Sequence, residues 1–233
     1  MIKQLNEAEK NTQPKEQLDP VLKEKIDFVM KHVQILKFGD LSKRVDSLVA
    51  INDIITNIVN YTEAIVRCTN EICSALTHVM TDVFERPLQD IPLRFAKYFV
   101  TIVNRVCSSQ EVMSSANEKE TYDLAEQLLF RLLTENLDKL GENKEGDVIL
   151  KTLNAAMLRL LENCQPSNIY CALFNLLRKY KEYTVLPKLP GLVIKCLLKL
   201  AKIIEKQTSL LAIDKILLVI HEYLLAINHD EKS

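Results

Sequence analysis

The sequence predicts an all-α fold built from repeated helix pairs. Three observations lead there. Apolar residues recur every three or four positions along almost all of the chain after residue 18, the spacing of one helix face. Only 4 glycines and 7 prolines punctuate 233 residues, whereas a β-rich or α/β chain of this size needs more turn residues. The helical stretches alternate short turns with longer links at a period of roughly 40 to 50 residues, the range of HEAT and armadillo units. The expected architecture is a HEAT-repeat-like array of about nine main helices in antiparallel pairs.

Residues 1–18 are polar and aperiodic and read as a flexible linker, with the array over 19–227 and a tail over 228–233. Asp19-Pro20 opens the first helix as a cap followed by a proline whose missing N–H costs nothing at that position. Leu22, Ile26, Met30, Val33 and Leu36 form its stripe, and Gly39 is expected to end it in the left-handed conformation. Asp40 caps the second helix, striped by Leu41, Val45, Leu48, Ile51 and Ile55. A turn this short makes the two helices antiparallel neighbours.

The unit then recurs. Ile65, Ile72, Leu76, Val79 and Val83 line a third helix starting near Thr62; Glu85 to Asp90 is a turn; Ala96, Phe99, Val103 and Val106 line a fourth. After the looser stretch SSQEVMSSAN, Asn117 and Glu120 have the spacing of a capping box, opening a fifth helix through Ala125, Leu128, Leu129 and Leu132. A polar loop, DKLGENKEGD, precedes the sixth, marked by Ile149, Leu153, Met157 and Leu160. Pro166-Ser167 breaks and recaps the chain before the seventh, at Ile169, Leu173, Leu176 and Tyr180. Pro187 and Pro190 make a stiff turn. Val193, Cys196, Leu197, Leu200 and Ile204 mark the eighth helix, and Ile213, Ile216, Ile220, Tyr223 and Ile227 the ninth. Each buried Leu or Ile contributes roughly 1.5 to 3 kcal/mol of transfer free energy. Most of that is offset by ordering the backbone, so one hairpin is marginal and the stack is stable.

Composition excludes several function classes. A net charge of -1 supplies no global excess of positive charge to draw the chain to nucleic acid or anionic lipid. The polar start has no apolar stretch suited to a signal peptide, and no run of ~18 apolar residues could span a bilayer, so an intracellular, soluble chain is expected. Six cysteines without paired spacing, Cys68, Cys73, Cys107, Cys164, Cys171 and Cys196, read as reduced core residues.

Chemistry is sparse. The histidines, His32, His78, His221 and His229, lack zinc-ligand spacing with cysteine, and there is no HExxH, phosphate-binding glycine loop or GxSxG elbow. His221 reads as a partly buried packing residue. Glu63 and Arg67 read as a solvated i, i+4 pair. No enzyme activity, cofactor or metal is expected. One charged feature stands out: Lys195, Lys199, Lys202 and Lys206 lie opposite the apolar stripe of the eighth helix, with Arg178, Lys179 and Lys181 clustered upstream. This is either a solvated face or a basic patch for an acidic partner. The few aromatics around it argue against single-stranded nucleic acid.

Three stretches, ENCQPSNIYCALFNLLRKY from Glu162, then GLVIKCLLKLAKIIEK, then SLLAIDKILLVIHEYL, carry the most specific signal. In this order they resemble the last TOG domain of the chTOG and mini spindles family of microtubule polymerases. The likeness rests on Gln165-Pro166-Ser167-Asn168, on Val193-Ile194-Lys195-Cys196-Leu197, and on Asp214, Ile216-Leu217-Leu218 and Ile220-His221. The front half, from Asp19-Pro20 through the Asp40 helix, is similar in helix order.

The resemblance implies a paddle-like array whose intra-pair turns line one edge, the edge that binds tubulin in the family's front domains. On this chain that edge is Phe38-Gly39-Asp40, Glu85 to Asp90, Asn136 to Gly146 and Lys181 to Leu189. Its implied partner-binding residues are Phe38, Arg86, Lys139, Lys144, Lys181 and Lys188. The family's tubulin-binding domains place a tryptophan in the first turn; this chain has none, and Phe38 is the nearest aromatic. The resemblance therefore implies a monomeric, non-catalytic adaptor module with weak or no tubulin binding. It would dock transforming acidic coiled-coil (TACC) proteins and act in the cytoplasm and cytoskeleton, at spindle poles and the centrosome. A generic HEAT scaffold of another pathway is the alternative.

Overall fold

A computed structural model describes residues 18–142, 144–181, 187–204 and 211–230. The helices are α1 (Pro20–Phe38), α2 (Leu41–Thr56), α3 (Ile58–Phe84), α4 (Leu93–Ser108), α5 (Gln110–Met113), α6 (Glu118–Leu132), α7 (Glu145–Asn163), α8 (Pro166–Tyr180), α9 (Leu189–Ile204) and α10 (Ile213–Asp230). Two single 3-10 turns, Leu88–Asp90 and Leu137–Lys139, lie between them, and among the described residues there is no strand. The all-α, HEAT-like expectation holds. The expected linker over 1–18 lies outside the described residues except at its last position, and α10 continues to Asp230, beyond the expected boundary at 227.

The helices stack in two layers. In one, α1 packs on α3, α3 on α6, α6 on α8 and α8 on α10. In the other, α2 packs on α4, α4 on α7 and α7 on α9. The hairpin contacts α1 with α2, α6 with α7 and α8 with α9 join the layers, and the short α5 bridges α3 and α4. One continuous apolar core follows, from Val29 to Leu200.

Local chemistry explains most boundaries. Asp19 accepts the Val21 N–H at 3.2 Å and Asp40 the Lys43 N–H at 2.9 Å, each satisfying a donor left over at a helix start. Gly39 is not left-handed: its φ of -74° and ψ of 162° are extended. A glycine is required there for space, since a Cβ would sit 2.5 Å from the Ile35 carbonyl oxygen. The capping box is half made. Asn117 accepts the Glu120 N–H at 2.8 Å, but the Asn117 N–H goes to Asn70 Oδ1 at 3.0 Å rather than back to Glu120. Pro166 opens α8 at its first turn with no side chain capping it, and Ser167 instead accepts the Ala212 N–H at 2.7 Å.

Three links differ from expectation. The third helix begins at Ile58, one residue after α2, with Asn57 as the whole junction. The looser stretch holds the short helix α5, capped by Ser109 and burying Val112 and Met113. The polar loop before α7 folds onto the core, because Leu137 and Leu140 are buried within it. Its reversals use Asn136, Lys144 and Gly141, with φ of 60°, 63° and 77°. Gly146 lets the loop close on α7, as a Cβ there would collide with the Leu137 carbonyl.

The expected stripes of the third, fourth, sixth and seventh helices are fully buried. Leu41 and Val45 are exposed, because α2 begins beyond the reach of α4 and packs only through Leu48, Ile51, Ile54 and Ile55. Leu132 and Leu197 are half-buried. On α10, Ile213 is exposed and Ile216, Ile220, Tyr223 and Ile227 are half-buried, since α8 alone covers this helix extensively. His221 is exposed, not partly buried as expected. Ile204 and His229 carry no described side chain.

Two tests follow from this packing. Leu200 is 1% exposed at the seam of α9. Leu200→Asp buries an unpaired carboxylate and should cost on the order of 4–5 kcal/mol, lowering the thermal midpoint or unfolding the C-terminal half; an unchanged melting transition overturns the assignment of this face. On α3, the Asp82 carboxyl is held below its ordinary value, first by the hydrogen bond from Arg44. A depressed carboxyl stabilises the fold above the unfolded value, about 3.9, and that contribution is lost as pH falls through the folded value. Asp82→Asn should therefore melt lower than the parent at pH 7, with the gap closing below about pH 4.

Candidate protein-docking edge

The intra-pair turns come together along one side of the array, held by specific contacts. Arg44, at the start of α2, pairs with Asp82 near the end of α3, and its Nη2 donates to the Lys37 carbonyl at 2.9 Å. The first turn is thereby fixed against the second. Lys37 Nζ reinforces it by donating to Ser74 Oγ at 2.8 Å. Arg131, near the end of α6, faces Glu85 at 3.7 Å, joining the second turn to the third. Lys97 of α4 donates to Glu145 at the start of α7, 3.0 Å away.

Two cavities open along this edge, each of about 480 Å³. One lies between the second and third turns, under Leu88, Ile91, Leu93 and Leu140, with Lys139 at its rim. The other lies between the end of α6 and Pro187–Lys188, at the fourth turn. At the opposite ends of the helices a cavity of about 300 Å³ opens between the starts of α1 and α3, and elsewhere short polar side chains reach main-chain groups. Asn163 Nδ2 donates to the Cys107 carbonyl at 2.9 Å, and Asn168 Nδ2 to the Ala116 carbonyl at 3.0 Å.

The six implied edge residues fare differently. Phe38 is 75% exposed at the end of α1, its ring 6.0 Å from His78. Arg86 folds back on its own helix, its Nε donating to the Asp82 carbonyl at 3.0 Å. Lys139, Lys144 and Lys188 are exposed, and Lys139 and Lys188 border the two cavities. Lys181 turns away from the edge and donates to the Ala226 carbonyl of α10 at 2.7 Å. Of the rest of that turn, 182–186 lie outside the described residues.

On α9, Lys195, Lys199 and Lys202 are exposed beside the exposed Ile194 and Leu198; Lys206 lies outside the described residues. The upstream cluster is not an open patch. Arg178 pairs with Glu222, and Lys179 with Glu126 at 2.9 Å while lying over the Tyr180 ring at 4.9 Å. Glu126 also accepts the hydroxyls of Tyr122 at 3.0 Å and Tyr180 at 2.8 Å. This network locks α6 to α8.

Sequence reasoning passed over Arg44, Asp82 and Arg131, and named Glu85 only as the start of an edge turn. Arg131 had a signal: it follows Leu124 and Leu128 at helical spacing, so it stands where an apolar residue belongs.

All six cysteines are free and buried. Burial pushes the Cys164 thiol up to about 12, and those of Cys68 and Cys196 to about 11, so little thiolate is present near neutral pH. Glu63 and Arg67 form the expected exposed pair at 3.0 Å. Among the described residues no cluster of histidine, cysteine, aspartate or glutamate could hold a metal, and no helix is long and apolar enough to cross a membrane.

No family model matches the chain, and no solved structure gives a significant match. Curated relatives do match. The chain is 24% identical to Protein MOR1 of Arabidopsis thaliana over 216 residues, 85% of this chain and 11% of that protein. It is 26% identical to Protein MOR1 of rice (Oryza sativa subsp. japonica) over 179 residues, 72% of this chain and 9% of that protein. It is 32% identical to Protein mini spindles of Drosophila melanogaster over 77 residues, 33% of this chain and 4% of that protein. The matched segments thus span about a tenth or less of these relatives. In sequence, this chain is similar to segments of MOR1 and mini spindles, and those relatives are members of the chTOG and mini spindles family.

Proposed function

We propose that this chain is a non-catalytic TOG-like docking module of the C-terminal type, acting in spindle and centrosomal microtubule assembly. It recruits an acidic adaptor, of the TACC coiled-coil class, and contacts tubulin weakly or not at all. The reading is of a monomer that binds neither nucleic acid nor membrane.

The observation that carries this reading is the first turn of the edge. An exposed phenylalanine, Phe38, stands where the resemblance leads one to expect tryptophan, and no tryptophan occurs anywhere in the chain. Aromatic anchors dominate the energetics of protein interfaces, and tryptophan buries the most surface. A smaller anchor weakens any contact made through this edge. Of the other edge cations, Arg86 is engaged by Asp82 and Lys181 by Ala226. The lysine face of α9 has the opposite character. Three exposed ammonium groups flank two exposed aliphatic side chains there, a combination that complements an amphipathic helix with acidic flanks.

Two measurements test the proposal. On gel filtration at micromolar concentration, the chain and αβ-tubulin should elute separately; stable one-to-one co-elution contradicts the weak-tubulin part. In a pull-down with a TACC coiled coil, Lys195→Glu combined with Lys199→Glu should reduce capture at least about tenfold, with Phe38→Ala close to the parent. Undiminished capture by the lysine variant contradicts docking through α9.

A further inference from the structure

The cavity between the end of α6 and the fourth turn has a chemistry distinct from the lysine face. Phe130, Leu133 and Pro187 form the apolar part of its wall, and Arg131, Thr134, Glu135 and the exposed Lys188 form the polar part. Its volume of about 480 Å³ lies within the range of sites that hold small ligands or single peptide side chains. Phe130 is held in place by an edge-to-face contact with Tyr180, ring centroids 5.2 Å apart.

Arg131 also lines this cavity. Its side chain is only 8% exposed, yet the protein leaves its charge poorly compensated. A guanidinium has five N–H donors and no acceptor. Arg131 Nη2 donates to the neutral amide oxygen of Gln127 at 2.8 Å. The facing carboxylate, Glu85, stands off at 3.7 Å and is itself largely exposed. Arg131 Nε is buried with no acceptor. Burial lowers the Arg131 pKa, with Glu85 only partly opposing it. A buried cation held by one distant partner is costly, and a well-placed anion removes part of that cost. The Thr134 hydroxyl, also at the cavity, donates to the Phe130 carbonyl at 3.2 Å.

We propose that this cavity is a binding site for a peptide carboxylate, with Arg131 and Lys188 receiving the charge and Phe130, Leu133 and Pro187 receiving an adjoining apolar side chain. The apolar part of the wall favours a carboxylate attached to a carbon body over a bare inorganic anion. The carboxylate comes either from the C-terminus of a polypeptide or from an acidic residue next to an apolar one. The site is independent of the α9 lysine face.

The test uses the full 233-residue chain labelled with 15N-arginine. The buried Arg131 Nε–H signal is assigned by its loss in Arg131→Lys. Three peptides are titrated: acetyl-Gly-Phe with a free carboxylate, acetyl-Phe-Glu amide, and acetyl-Gly-Phe amide as the neutral control. The Arg131 signal should move saturably with at least one of the first two and stay still with the third. The stronger of the two identifies the carboxylate's source. Lys188→Glu, at an exposed position, should weaken that response about fivefold or more without altering the fold. No response to either carboxylate, an equal response to the neutral amide, or an equal response to inorganic phosphate overturns the proposal. Any of these failures would leave adaptor capture by α9 untouched, so the two readings fail separately.

Discussion

The array depends on burial of helix stripes against neighbours in two directions. The central helices have stripes that no single partner covers. α3 buries Ile65, Ile72, Leu76, Val79 and Val83 between α1 and α6, and α4 buries Phe99, Val103 and Val106 between α2 and α7. The free energy is non-directional and scales with apolar area, so it fixes which faces meet but gives no chemistry. Once the seam is closed, only helix ends and outer faces remain for recognition.

The two sets of helix ends are not equivalent. At one, asparagine and serine side chains occupy main-chain donors and acceptors across helices, Asn163 on Cys107, Asn168 on Ala116 and Ser167 on Ala212, beside the longer reaches of Arg105 to Asn52 and Lys25 to the Asn60 carbonyl. Such closure leaves few polar groups seeking partners. At the other, long charged side chains bridge the turns, Arg44 to Asp82, Arg131 to Glu85 and Lys97 to Glu145, and cavities open between them. The same contrast separates the two basic clusters. Arg178, Lys179 and Lys181 are consumed within the fold, holding α8 to α6 and α10, whereas Lys195, Lys199 and Lys202 are exposed on α9.

The fold was legible because periodicity and punctuation agreed. Asp19-Pro20, Asp40 and Asn117 each cap a helix through their side chains, and the stripes of α3, α4, α7 and α8 are the core. What escaped has definable causes. The Asn57 junction carries no proline or glycine, so nothing in the local sequence marks a break between α2 and α3. Leu41 and Val45 fit the helical period but lie beyond the neighbour that would cover them, and periodicity cannot report tertiary reach. Gly39 answers to a steric limit set by Ile35 rather than to backbone sign. On the edge, Phe38 and the lysines could be named from turn positions, but the Arg44, Asp82, Glu85 and Arg131 bridges join residues about 40 positions apart, a separation that helical spacing does not encode.

Native-state hydrogen exchange tests the seam most directly. Amides in the buried turns of α3, α4, α6 and α7, at 72–80, 99–106, 124–129 and 153–160, should exchange slowest and share one denaturant dependence across both layers. Those of the edge turns at 85–90 and 134–142 should exchange orders of magnitude faster. Equal exchange at the turns and the seam, or separate unfolding of the two layers, would contradict the stacked array on which the account rests.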